Sequence, residues 1–335
     1  MLEQIRQTIQ GLKETRRDVR EHVFDVDVAA QGSEGWALTG RVLSAADKAA
    51  LRQGLAAAFP GLALDDSGVQ VLHTPDSRWV RTSTNLSSLH RSPSFMDELM
   101  TGLPYGWQMQ VLEEKGDWAF VRLADGYLGW TYLPYTSPEP APAPTHLVAA
   151  PVALLRPVPG STEAPVGRVY GGTRVQICEQ QGDWVCVQAN RSGWIPAAEV
   201  RALDSLPVDE EARRQQMLAD AVQYTGVPYL WGGVTANGID CSGLAQLVHR
   251  MIGIPLRRDA DMQMQDGRPV EPPFRLGDLV FFGRRVPDLH ATHVAVSLGG
   301  WEIIHSSRAR NGVYVDDIQS VEHLRNSFLG GASFL

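Results

Sequence analysis

A multidomain α+β chain is predicted by three features of the 335 residues: a helix that opens on a cysteine behind a glycine-rich loop, a histidine-bearing hairpin downstream of it, and a short-strand pattern that occurs twice upstream. The loop is Tyr229-Leu230-Trp231-Gly232-Gly233, and the helix start is Asp240-Cys241-Ser242-Gly243. Leu244, Leu247, Val248, Met251 and Ile252 recur at helical spacing, so a helix is expected from about Cys241 to Ile252, with Asp240 at the N-cap. A thiol in a first helical turn meets unpaired backbone amides and the positive end of the helix dipole, which favours thiolate. Cys241 is therefore expected to have a lowered pKa and to act as a nucleophile.

A nucleophilic thiol needs a base, and two histidines follow. His293 opens His293-Val-Ala-Val-Ser-Leu298, His305 closes Trp301-Glu-Ile-Ile-His305, and Gly299-Gly300 between them signals a turn. A three-residue loop would set 293 opposite 305 with both rings on one face, and a two-residue turn would offset them. Either register lets one ring orient the other. His290-Ala-Thr-His293 has the look of half a zinc site, yet no helical HExxH accompanies it, so neither a metal nor any other cofactor is expected. Cys178 and Cys186 lie in apolar, strand-like stretches and are expected to be core thiols. His22, His73, His90, His146, His249 and His323 lack comparable context and are assigned to surfaces or element ends.

The repeat is carried by Gly116-Asp117-Trp118 and Gly182-Asp183-Trp184. Each copy is preceded by an apolar strand (109–112, 175–178), followed by another (119–123, 185–188), and then reaches a Gly-Trp pair, Gly129-Trp130 or Gly193-Trp194. Short strands separated by turn residues predict small antiparallel barrels, placed at 69–140 and 147–204. The alternating prolines of 138–144 predict a stiff, extended spacer. Residues 1–68 read as a small α+β module, with a helix near Leu2 to Arg20, strands 22–28 and 36–42, and a helix 45–58; the module carries no chemical motif and is expected to pack on or brace the barrels.

Composition narrows the function classes. A net charge of −8 leaves no basic stripe to neutralise phosphates, so nucleic acid is not an expected partner. No segment approaches a membrane-spanning length, and the polar start Met1-Leu-Glu-Gln-Ile lacks a signal-type apolar core. Together with three cysteines this gives a cytoplasmic location as the expectation, the alternative being a secreted or surface protein whose leader has been removed. A monomer is expected.

On the strings YxWGG, DCSG, HVA and IHSS, residues 208–335 resemble the NlpC-type cysteine peptidases that cleave peptides derived from bacterial peptidoglycan. The GDW and DGYxGW strings are similar to bacterial SH3-like domains. The resemblance implies a papain-like α+β catalytic domain behind two all-β SH3-like barrels, with Cys241 as nucleophile, His293 as base and His305 as its orienting residue. It further implies hydrolysis of the γ-D-glutamyl bond to a diamino acid in peptides with a free amino-terminal L-Ala, as in murein recycling. In related proteins the first barrel closes one end of the cleft. Asp240 and Asp259 then offer carboxylates to the substrate ammonium, Tyr229 and Ser242 offer hydroxyls, and Tyr127 and Glu98 project from the barrel. Ala260 stands where relatives often carry serine. The competing readings are a wall hydrolase anchored by its barrels, an amidase or acyltransferase on the same fold, and a binding protein that no longer turns over.

Overall fold

The computed structural model describes residues 1–31, 35–287 and 289–335, which form two compact units: Met1–Val80 with Met109–Thr131, and Arg81–Gln108 with Tyr132–Leu335.

In the first unit, the helices Leu2–Glu14 and Ala45–Ala58 pack on a three-stranded sheet. Strand Phe24–Gln31 runs antiparallel to Gly35–Val42, which runs parallel to Ala63–Val71. The second helix starts where a capping box puts it: the Ser44 hydroxyl accepts from the Asp47 amide, and the Asp47 carboxylate accepts from the Ser44 amide. The first helix ends at Glu14, short of the expected Arg20. The Thr15 hydroxyl donates to Leu12 O at 2.8 Å, and Arg16 leaves the helical path to pair with Asp47 at 2.6 Å. Strands Gln108–Lys115 and Trp118–Leu123 belong almost wholly to this unit and turn on Gly116-Asp117, with Gly116 at φ 60°. Leu43 and Leu72 of the α+β part meet Leu112 and Leu128 in one apolar cluster. Residues 1–72 are thereby packed on these strands.

The second unit contains the corresponding hairpin, Arg174–Gln181 with Trp184–Gln188, turning on Gly182-Asp183 with Gly182 at φ 58°. The likeness of the two hairpins extends to a bulge four residues before each glycine, between Val111 and Glu113 in one and Ile177 and Glu179 in the other. The bulge residue of the first hairpin, Leu112, is buried, whereas Cys178 at the same place in the second is exposed. That corrects the expected core thiol: the extra residue at a bulge leaves the alternation of the strand. Cys186 is half-buried, and both thiols are free. Ser192–Pro196 carries Trp194 beside this hairpin, and Val148, Leu155, Val185, Val187 and Ile195 fill the core.

Behind it, a six-stranded sheet is flanked by the helices Glu210–Ala221 and Cys241–Arg250. Leu279–Arg284, His290–Gly299, Glu302–Ser307 and Gly312–Asp317 follow one another in it as antiparallel neighbours, the last at the sheet edge. Leu244, Leu247, Val248 and Met251 bury the helix face that the sequence pattern selects, against Leu279, Phe281, Val294, Val296 and Ile304. A buried ion pair, Arg214 to Asp278 at 3.0 Å, ties the preceding helix to the sheet. Among the described residues no helix is long and apolar enough to cross a membrane.

Candidate active site

Helix Cys241–Arg250 begins as expected, with Asp240 extended at φ −95° and ψ 179° and its Oδ1 accepting from the Gly243 amide at 2.7 Å. The two glycine motifs interlock around that carboxylate. Gly232 N–H donates to Asp240 Oδ2 at 2.8 Å, and the Asp240 amide donates to Gly233 O at 3.1 Å. Gly243 is required by the same contact, since a Cβ there would stand 2.2 Å from Gly233 O. The helix ends at Arg250, two residues earlier than expected, where Ile254 N–H returns to His249 O and Gly253 adopts φ 85°.

Asp240 is not left alone. Arg258, itself 2% exposed, donates through Nη2 to Asp240 Oδ2 at 2.6 Å and through Nη1 to Asp240 Oδ1 at 3.1 Å and Ser242 Oγ at 2.8 Å. Its Nε donates to Thr101 Oγ1 at 2.8 Å. Arg258 has no motif of its own in the sequence; its signal is that a buried N-cap carboxylate requires a counter-charge and Arg257-Arg258 lies close by in the chain. Gln263 adds a second brace, donating from Nε2 to Ser242 O at 3.2 Å and Arg257 O at 2.8 Å. On the far side, Ser306 donates to Ile239 O at 2.6 Å, which gives the IHSS motif a positional role.

The histidines meet, in the offset register. Val296 pairs with Ile304 and Gly299 with Glu302, so the turn is the two residues Gly300-Trp301, and a bulge follows Ser297. This places His293 diagonal to His305 on one face, where His293 Nε2 lies 2.7 Å from His305 Nδ1 and the ring centroids are 5.0 Å apart. His305 Nε2 is in turn 2.9 Å from Asp316 Oδ2. Asp316 carries no motif in the sequence. Its signal was the alternation of Gly312–Asp317, in which Tyr314 pairs with His305 and Asp316, two residues on, shares that face.

The electrostatics differ from the expected reactive thiolate. Burial pushes the Cys241 thiol up to about 12, with the neighbouring Asp240 carboxylate adding to the rise and the Val294 and Ser242 amides pulling against it. Burial likewise lowers His293 to about 3, with His305 next to it contributing. His305 is lowered by burial and partly held up by Asp316. Burial therefore favours the neutral form of both thiol and imidazole. The helix terminus is outweighed because the sulfur sits among apolar groups. Burial also raises Tyr229, beside Cys241 and Asp240, so its hydroxyl remains a proton donor.

The other expected site residues are distributed as follows. Ser242 is buried and bonded to Asp240 and Arg258. Asp259 caps the helix Ala260–Asp266 through its carbonyl, which accepts from the Gln263 amide at 2.9 Å. Ala260 is buried in the domain core. Glu98 lies just before strand Leu99–Pro104, and its Oε1 accepts from Trp231 Nε1 at 3.0 Å, so a carboxylate distant in sequence stands on the YxWGG loop. Arg91 is its other partner, at 2.5 Å. Tyr127 belongs to the first unit, in the turn between Trp118–Leu123 and Leu128–Tyr132, and is 4% exposed. His290 is exposed at the start of its strand, and among the described residues no three His, Cys, Asp or Glu side chains are grouped to hold a metal ion. His249 lies at an element end, in the last turn of its helix, and is fully buried there and bonded to Ala245 O at 2.8 Å. His90 is likewise buried.

Comparison with known proteins agrees with this architecture. The NlpC/P60 family matches residues 226–328, and the bacterial dipeptidyl-peptidase Sh3 domain matches 89–131. A gamma-D-glutamyl-L-lysine dipeptidyl-peptidase of Bacillus cereus is 26% identical over 237 residues, 65% of this chain and 70% of its own. Dipeptidyl-peptidase 6 of Lysinibacillus sphaericus is 26% identical over 255 residues, 70% of this chain and 89% of its own. The solved structure of an NlpC/P60 family protein from Bacillus cereus superposes with a TM-score of 0.65 at 20% identity, over 77% of this chain and 99% of that one.

Proposed function

We propose that this chain, an NlpC/P60 cysteine peptidase with a bacterial SH3-like domain ahead of its catalytic domain, hydrolyses the γ-D-glutamyl to diamino acid bond of peptidoglycan-derived peptides bearing a free amino-terminal L-Ala. The observation that carries the reading is the His293–His305 pair on a strand whose next residue, Val294, brings its amide to the Cys241 thiol at the helix start. In this reading His293 removes the thiol proton as Cys241 attacks the γ-carbonyl, giving a tetrahedral oxyanion and then an acyl-enzyme. The Cys241 amide, at a helix start, is the oxyanion donor. Protonated His293 passes its proton to the leaving amine and then activates water, while His305 fixes its tautomer. No step requires a metal.

Free-amine selectivity is supported by Glu98, whose carboxylate accepts a hydrogen bond from Trp231 of the catalytic loop and forms an ion pair with Arg91. A peptide ammonium offered to it gains a charge-assisted contact that an acetylated amine cannot make. A role in recycling accords with that preference, because such short free-amine peptides are products of earlier wall cleavage, and a cytoplasmic location is part of the same proposal. The relatives' names support the bond class, and lysine or diaminopimelate both satisfy it.

The test is product analysis by mass spectrometry of L-Ala-γ-D-Glu-diaminopimelate and its lysine counterpart, with and without amino-terminal acetylation, using wild type and Cys241→Ala. Cleavage of the free-amine peptides alone, abolished in the variant, is expected. Equal cleavage of acetylated peptide would favour a wall hydrolase with an open cleft, and cleavage of neither would favour the amidase or acyltransferase reading.

A further inference from the structure

We propose that Asp316 is a positioning residue that fixes the tautomers of both histidines, and that Arg310 holds it in place. The inference rests on the reading of Cys241 as nucleophile and extends the line of groups by one member.

The argument is one of donors and acceptors. An ionised carboxylate can only accept, so the 2.9 Å contact between His305 Nε2 and Asp316 Oδ2 requires the proton of neutral His305 to sit on Nε2. His305 Nδ1 is then a lone pair. Across 2.7 Å it faces His293 Nε2, which must donate. The proton of His293 being on Nε2, its Nδ1 is left as the basic atom, the one free of His305. One carboxylate thus dictates two successive tautomers. When His293 becomes an imidazolium, its Nε2–H bond to His305 strengthens, and the negative charge at the end of the line stabilises the new positive charge.

Asp316 is built for this. Its side chain is 14% exposed, and Arg310 Nη1 binds the other oxygen, Oδ1, at 2.7 Å, leaving Oδ2 directed at His305. The guanidinium carbon of Arg310 lies 4.3 Å from the ring centroid of Tyr314, the residue paired with His305, so the clamp is itself braced.

The histidine tautomers can be read without substrate, from long-range proton–nitrogen correlation spectra of protein labelled with ¹⁵N in its histidines. Wild type is expected to show Nε2–H for both His293 and His305. A spectrum with His305 protonated on Nδ1 would overturn the proposal. Asp316→Asn keeps the shape but lets the amide donate as well as accept, so mixed tautomers are expected, with kcat lower by about 10- to 100-fold and KM within about twofold. Alkylation of Cys241 by iodoacetamide should slow in parallel. If Asp316→Asn leaves tautomers, kcat and alkylation unchanged, or if Arg310→Met matches its loss of rate without disturbing the tautomers, the carboxylate only anchors its strand. Should wild type cleave none of the γ-glutamyl peptides, the substrate reading fails, while the spectra and alkylation rates still decide this one.

Discussion

The thiol of Cys241 shows how two physical effects at one atom compete. A helix N-terminus favours thiolate by at most a few kcal/mol, whereas burial of a charge among apolar groups costs more, and here burial prevails. A consequence can be measured: with burial favouring neutral cysteine and histidine, iodoacetamide alkylation of Cys241 should climb with pH through neutrality without levelling below about pH 8. A plateau at acidic pH would mean a preformed thiolate–imidazolium pair. Arg258 gives a second residue-level test. Arg258→Met leaves the Asp240 carboxylate buried without its cation, so denaturant unfolding should report a loss of about 3–5 kcal/mol. Adding Asp240→Asn should recover part of it. If the single variant is as stable as wild type, the clamp has been misjudged.

At the scale of elements, helix Cys241–Arg250 joins a first turn that carries the Cys241 thiol to a buried last one. Near its end His249 is fully buried, its Nδ1 donates to Ala245 O, and its ring packs edge-on to Phe334 at 5.6 Å. Burial lowers it from 6.5 to about 4. Since the unfolded chain takes up this proton first, the ring contributes no pH dependence above about 6.5, and stability is lost as pH falls from there towards about 4. His249→Leu should reduce the slope of unfolding free energy against pH in that window by about 1.4 kcal/mol per pH unit, read from urea melts at several pH values. An unchanged slope would show that the ring is protonated in the folded state. The hairpin 290–307 illustrates a different control. Its faces follow from alternation, but its register depended on a bulge after Ser297 and on whether two or three residues turned, which hydrophobic pattern does not encode.

For the whole molecule, the proposed substrate choice depends on residues far apart in the chain. Glu98 precedes a strand of the region that matches the SH3 domain and contacts Trp231 of the catalytic loop. Gly102 N–H donates to Gly232 O at 2.8 Å, and Arg258 reaches Thr101, so strand Leu99–Pro104 is fixed to the loop by backbone and side chain together. Glu98→Gln keeps the size and the acceptor for Trp231 but removes the charge. It is expected to raise KM for free-amine peptide about tenfold, with little change in kcat or in any residual turnover of acetylated peptide. Equal effects on both peptides would assign Glu98 to support of the loop alone.

Much of this chain was legible from short-range order. The capping signals set the starts of helices Ala45–Ala58 and Cys241–Arg250, because caps are satisfied within four residues. Two Gly-Asp turns announced the paired hairpins, since their glycines adopt φ near 60° that other residues resist. The strings around Cys241, His293 and His305 pointed to a cysteine peptidase for the same reason: each motif is a local solution to a local demand. What the chain could not display was how distant polar groups satisfy one another. Arg258 at the buried Asp240, Asp316 behind His305, and the contact between Glu98 and Trp231 each join segments with no common periodicity. The high pKa of Cys241 and the low pKa of His293 belong with them, because desolvation is a property of everything packed around a group and not of its neighbours in sequence.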